Sequence, residues 1–330
     1  MEIVGQATRC TYTSFRRKIR NKQKGACCVA QINHPQKEQV GVYLGSFLVL
    51  LSAVGFSAKA VVVKLAYRYN VDPITVLSLR MGFSLPFFVA MAIIGELRSK
   101  ERIAGRDALN LVALGLIGYY LSTLLDFKGL EYASAGLERL ILFLYPTMTV
   151  ILSAIFLGRK ITKRDGVALG LSYGGIVLAV SHDLAVSGPN VMLGAVLIFA
   201  CAFTWSSYLV GAEGVIARVG AVRFTGYAMV VSTTAAFIHY FAANGGAILI
   251  QPREVYKLSM IMAIFSTVIP ILMFSIGMRR IGASNTAIIS SVGPVFTIFL
   301  AYVYLGEKIS ALQIAGTALI ITGVMSIKKR

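Results

Sequence analysis

The sequence predicts an all-α polytopic membrane protein, with ten transmembrane helices arranged as two inverted five-helix repeats. Three observations carry that expectation. Hydrophobic residues make up 57% of the chain and charged residues only 14%, with a mean hydropathy of +0.75, whereas soluble domains carry roughly 25% charged residues. Apolar segments of about twenty residues, the length a helix needs to cross a bilayer, recur from Val42 onward. A stretch from Gly129 to Gly158 is also repeated without gaps from Gly277 to Gly306. Membrane β-barrels are excluded, because segments of about ten residues with strict in/out alternation are absent.

Residues 1–41 are basic and acid-poor, include Arg16-Arg17-Lys18, and contain no long apolar run. They read first as a disordered cytoplasmic tail. An Arg-rich organelle transit peptide and an upstream extension from a misplaced start are the other readings; no signal peptide is expected.

Ten helices follow, at about 42–66, 74–95, 108–126, 135–157, 166–182, 191–212, 224–243, 258–278, 283–305 and 311–326, with short connections. The net charge of +18 does not imply nucleic acid, since the basic runs lack interleaved aromatics. It follows the distribution of inside-facing loops instead. Of the 32 Lys and Arg, 23 fall in the tail, in alternate loops and at Lys328-Lys329-Arg330, against five in the opposite loops. Both termini are therefore expected in the cytoplasm, with the chain multi-pass in the cell (inner) membrane.

The repeat sets the domain plan: 42–182 for the first unit and 191–326 for the second. Gly129 falls on Gly277, Pro146 on Pro294, Thr149 on Thr297 and Gly175 on Gly323, a constant offset of 148 residues. Leu157-Gly158-Arg159-Lys160-Ile161 falls on Leu305-Gly306-Glu307-Lys308-Ile309. Upstream, Gly45–Pro73 falls on Gly194–Val222, placing Phe56 on Trp205 and Ser57 on Ser206. Five helices per unit is an odd number, so the second unit enters from the opposite side, the plan many carriers use for alternating access. No enzyme constellation is found: His34, His182 and His239 are scattered, and neither HExxH nor a paired Asp motif occurs. Cys10, Cys27, Cys28 and Cys201 have no metal-ligand spacing. Neither a metal nor a cofactor is expected.

This plan, Leu79-Arg80 early in the second helix, and the twice-repeated Ser/Ala-Gly/Ser…Pro…Leu-Gly-x-Lys-Ile pattern resemble the EamA family of the drug/metabolite transporter superfamily, over about 42–328. Arg159 departs from the pattern where Glu307 keeps it. The resemblance implies a secondary carrier that moves small metabolites, often outward, without ATP, and it implies no particular substrate.

Charges inside the helices mark the candidate site, because hydrocarbon tolerates them only when they face a cavity or one another. Lys59, Arg80, Asp126, Glu138 and Arg139 all fall in the outer half of the membrane, and none has a charged repeat mate: Lys59 falls on Tyr208, Arg80 on Met229, Asp126 on Phe274, Glu138 on Thr286 and Arg139 on Ala287. The candidate substrate-binding residues are Arg80, Arg139 and Lys59, with Trp205, Tyr208 and Asn285 from the second unit. Guanidinium forks suit a carboxylate or phosphate, and the aromatic residues suit the rest of a ligand. A purely structural ion-pair network is the competing reading. Glu138 is the candidate for proton coupling. Pro146 and Pro294, mid-helix at equivalent places, are candidate gates or merely packing features. Gly166-x-x-x-Gly170-x-x-x-Gly174 permits close helix contact, within the bundle first and in a homodimer second. The expected partners are a small-molecule metabolite and the lipid bilayer. Export of an amino acid or related carboxylated compound leads. Uptake or exchange of a phosphorylated or nucleotide-type solute comes second, and a non-transporting sensor or structural subunit is the alternative of another class.

Overall fold

The computed structural model describes residues 41–99, 101–158, 163–187, 190–244 and 250–326. The tail 1–40 and Arg159 lie outside the described residues. The chain divides into two units, Met1–Leu44 and Gly45–Arg330, and the packing that follows is within the second.

All regular structure among the described residues is helical. Helix α1 spans Gly41–Tyr67. Helix α2 (Pro73–Arg98) begins at Asp72, whose carboxylate accepts from the Thr75 N–H at 2.9 Å, with Pro73 in the first turn where no donor is needed. Helix α3 (Gly105–Tyr132) follows, then α4 (Ala135–Leu142) and α5 (Tyr145–Leu157), α6 (Lys163–Ser187), α7 (Asn190–Val219), α8 (Ala221–Asn244) and α9 (Arg253–Gly282). Helical residues continue to Ile289 beyond a break at Gly282, and a 3₁₀ turn over Ser290–Val292 leads into α10 (Gly293–Leu305) and α11 (Ala311–Ser326).

Seven helical stretches among the described residues are long and apolar enough to cross a membrane: α1, α2, α3, Ala135–Phe156, α7, α8 and α9. Three further apolar stretches, Leu169–Leu178, Gly293–Leu305 and Ala311–Gly323, are shorter than a full span. Large apolar side chains such as Phe156, Val177, Val196, Ile238 and Phe299 stand exposed, as lipid-facing residues do and water-facing ones rarely do in such number.

The continuous helix expected over 135–157 is two helices. Phe143 leaves helical geometry with ψ at 6°, and α5 restarts with Pro146 in its first turn. The proline therefore starts a helix instead of bending one. The same design recurs at Ser290–Val292, where Pro294 opens α10. Two π turns are also repeat mates, Gly115–Leu121 within α3 and Ile264–Val268 within α9. Gly158 and Gly306 each end their helix in the left-handed region, with φ of 64° and 72°, which explains the glycine of both Leu-Gly pairs.

Helix contacts interchange under the repeat offset. A Cβ on Gly194 of α7 would meet the Gly129 carbonyl oxygen of α3 at 2.9 Å, and one on Gly277 of α9 would meet the Gly45 carbonyl oxygen of α1 at 2.9 Å. Ser57 Oγ donates to the Gly293 carbonyl at 3.0 Å, and its mate Ser206 Oγ donates to the Tyr145 carbonyl at 3.0 Å. Helix α2 packs on α8, and α6 on α11 through Gly175 against Gly316. The Gly166, Gly170 and Gly174 stripe faces open space among the described residues. Its expected burial within the bundle is corrected: Gly175, one position on, makes the helix contact.

Because the obstacle at Gly194 is backbone, Gly194→Val is expected to destabilise by about 1–3 kcal/mol, read as a lower melting temperature in detergent. Gly166→Val, on the open stripe, is expected to leave the melting temperature near wild type.

Candidate functional site

A cavity of about 820 Å³, counting its open mouth, lies among α1, α2, α3, α4, α7 and α9, with Tyr145 of α5 and Met229 of α8 also in its lining. Its lining combines charged residues (Lys59, Arg80, Asp126, Arg139) with aromatic ones (Phe56, Tyr119, Tyr145, Trp205, Phe274).

Local structure places the charges. In α4, Ser134 caps the helix by accepting from the Leu137 N–H at 3.0 Å, so Glu138 and Arg139 fall in its first and second turns. Lys59 of α1 reaches between two carboxylates, with Nζ 2.5 Å from Asp126 Oδ2 and 3.4 Å from Glu138 Oε1. Asp126 is 1% exposed and Glu138 0%. Ions this deep persist only when paired, so one lysine joins α1, α3 and α4. Arg80 lies over the Phe127 ring, 5.0 Å from its centroid, a favourable place for a guanidinium.

Arg139 packs on the break that precedes α10. A Cβ on Gly293 would stand 2.4 Å from its Nη2 and 3.1 Å from its Nε, so the guanidinium occupies a niche that only a glycine leaves open. The Nε atoms of Arg80 and Arg139 are buried without a hydrogen-bond partner among the described residues. Three cations facing two carboxylates leave one formal positive charge in excess.

Trp205 stacks on Tyr208 with ring centroids 4.9 Å apart at 28°. Tyr208 shares a hydrogen bond of 2.9 Å with Tyr119. Deeper in the same wall, Thr225 and Ser275 hydroxyls meet at 3.2 Å.

Of the residues singled out from sequence, the structure brings Lys59, Arg80, Arg139 and Trp205 to the cavity wall. Tyr208 backs the wall through Trp205 and Tyr119, and Glu138 sits behind Lys59. Pro146 and Pro294 mark helix breaks and do not line the cavity. The side chain of Asn285 lies outside the described residues. The sequence reading missed Tyr119, whose orientation depends on a π turn that shifts the helical periodicity by one residue. It also missed Glu307, whose carboxylate accepts from the N–H groups of Ala135 and Gly136. Arg223, expected in a solvated loop, is buried and makes a two-pronged pair with Glu96, both contacts at 2.7 Å. The doubled Leu-Gly-x-Lys-Ile pattern was the one available signal for Glu307.

A helical membrane bundle whose cavity is lined by buried charges and aromatic rings is an architecture that transporters use. Comparison with known proteins bears this out. The EamA-like transporter family model matches twice, over 43–181 and 192–328, and the chain belongs to that family. It is 30% identical over 288 residues to the uncharacterized transporter YcbK of Bacillus subtilis (strain 168), covering 85% of this chain and 92% of that one. It is 27% identical to a probable terminal-alkyne amino-acid exporter of Streptantibioticus cattleyicolor, over 80% and 88% of the two chains. It is 24% identical to a probable amino-acid metabolite efflux pump of Escherichia coli (strain K12), over 84% and 92%. A crystal structure sharing 20% identity superposes with a TM-score of 0.61 over 86% of this chain and 94% of the other, a likeness of fold.

Removing one partner of a buried ion pair strands the other, at a cost of about 3–5 kcal/mol. Asp126→Ala is therefore expected to lower the melting temperature strongly, and Lys59→Met combined with Asp126→Leu and Glu138→Gln, which leaves neither carboxylate stranded, to recover much of the loss. Equal melting of Asp126→Ala and wild type would contradict the pairing.

Proposed function

We propose that this protein is a secondary carrier that exports an amino acid or a related carboxylated compound by alternating access across the cell (inner) membrane. The observation that carries the reading is the pair of buried guanidiniums, Arg80 and Arg139, each with an Nε that has no partner among the described residues, beside a cavity with an excess positive charge. A carboxylate supplies the missing charge and acceptors, while the Trp205 and Tyr119 wall suits the remainder of the solute. The names of two relatives, an amino-acid exporter and an amino-acid metabolite efflux pump, support the same class.

In this reading the ten spans form two five-helix repeats of opposite orientation, with both termini in the cytoplasm. Support comes from the doubled family match and from contacts that interchange under the repeat offset, α3 on α7 and α9 on α1. The charge bias of the loops supports the orientation. The breaks at Pro146 and Pro294 act as paired hinges, one per repeat. Glu138 acts in coupling: it shares Lys59 with Asp126, so a proton on either carboxylate alters how firmly the lysine is held.

The test is counterflow in proteoliposomes with a panel of radiolabelled amino acids, organic acids, nucleotides and neutral amines. A zwitterionic or anionic amino acid is expected to exchange, with at least about ten-fold loss in Arg139→Ala, as removal of a charged hydrogen-bond partner implies. Gly293→Ala should give a similar loss at near-wild-type stability, since the new Cβ meets only the movable end of Arg139. Movement of nucleotides alone would favour the phosphorylated-solute reading. Undiminished exchange in both variants would remove Arg139 from the site.

Coupling is read separately. An imposed pH gradient is expected to drive uptake in wild type and to have no effect in Glu138→Gln; indifference of the wild type to the gradient would sink the coupling role.

A further inference from the structure

The half-helix that carries Glu138 and Arg139 is held from a distance. Its first N–H groups have no acceptor within the helix, and a residue from the loop between α10 and α11 supplies one. Glu307 Oε1 accepts from the Ala135 N–H at 3.0 Å and Oε2 from the Gly136 N–H at 3.2 Å. With Ser134 serving the Leu137 N–H, the whole first turn of α4 is satisfied. A carboxylate at a helix N-terminus is favoured by the helix dipole as well as by its hydrogen bonds. Arg68 adds a second tie to the same loop, with Nη2 donating to the Leu305 carbonyl at 3.3 Å. Around the start of α4, Ala133, Ala135 and Leu137 are at most 1% exposed, so the packing at this helix end excludes water.

The repeat makes the contact one-sided. The mate of Glu307 is Arg159, and the mates of Ala135 and Gly136 are Ala283 and Ser284. A guanidinium has no acceptor to offer a helix N-terminus and is disfavoured there by the dipole.

We propose that Glu307 is a positioning residue of the transport cycle. It is a carboxylate latch that closes the face at which α4 begins and sets the start of the helix carrying Glu138 and Arg139, whereas the other repeat has Arg159 at the equivalent sequence position. The inference rests on the alternating-access reading above. Opening that face requires the two N–H contacts to break, so the latch biases the carrier toward the state closed there.

The experiment uses full-length protein in vesicles of each orientation, with Cys10, Cys27 and Cys28 replaced by serine so that Cys201, on the cavity wall, is the reporter. The probe is the membrane-impermeant reagent sulfonatoethyl methanethiosulfonate. Glu307→Gln, which keeps one acceptor, and Glu307→Ala, which keeps none, are expected to raise labelling from the α4 face progressively, by about ten-fold in the alanine variant. Labelling from the other face should fall, and Glu307→Asp should restore part of the wild-type ratio. Deuterium uptake in a peptide spanning 133–142 should rise in step. Unchanged labelling from both faces, or an equal rise from both, overturns the latch. Because labelling needs no solute, a responsive latch with no exchange in the counterflow panel would sink the transport reading alone. Exchange without a labelling response would sink the latch alone.

Discussion

Lys59, held between Asp126 and Glu138, is the interaction from which most of the site follows. A charge in hydrocarbon must be compensated at short range, and here one ammonium compensates two carboxylates on two different helices. Helices α1, α3 and α4 therefore meet where those side chains are, and Arg80 and Arg139 take the remaining wall. Arg139 then reaches past the cavity to the break at Gly293, which ties α4 to α10.

The same medium constrains the backbone. Irregular main chain at membrane depth survives only where it is buried in protein or lines a cavity, and the breaks and π turns obey that rule. Gly118 and Tyr119 of one π turn and Ser266 of the other line the cavity, as do Tyr145 and Ser290 at the two breaks. Ser57 and Ser206 donate across the interface to carbonyls at the breaks. Each repeat thus stabilises the irregular segment of the other, so neither break is independent of the opposite half.

The halves share a backbone plan and differ in chemistry. Towards the start of α4 the contacts are ionic, with Glu307 over the helix end and the lysine below it. Towards α8 they are hydroxyl and aromatic, with Tyr119 on Tyr208 and Thr225 on Ser275. Ionic contacts gain strength in a dry environment and lose it when water enters, whereas aromatic packing is less sensitive. The two ends therefore differ in how they respond to water, although one sequence plan encodes both halves.

Much was legible from the sequence. Hydropathy and the absence of barrel-like alternation determined the helical membrane class, because only helices and closed barrels satisfy their backbone in lipid. The repeat marked the equivalence of Pro146 with Pro294, and the expense of intramembrane charge singled out Lys59, Arg80, Glu138 and Arg139. Several features lay beyond it. Helical periodicity assumes an unbroken 3.6-residue turn, so the interrupted helices and the π-turn placement of Tyr119 could not be read. A residue far along the chain, such as Glu307, leaves no trace in the local pattern of the helix it caps. Which charges pair and which stay free is a matter of distances of a few ångströms between separate helices. The amino-acid order determined which groups would be costly in the membrane; tertiary packing alone decided which neighbours compensate them, because electrostatic and hydrogen-bond energies depend on separation in space and not along the chain.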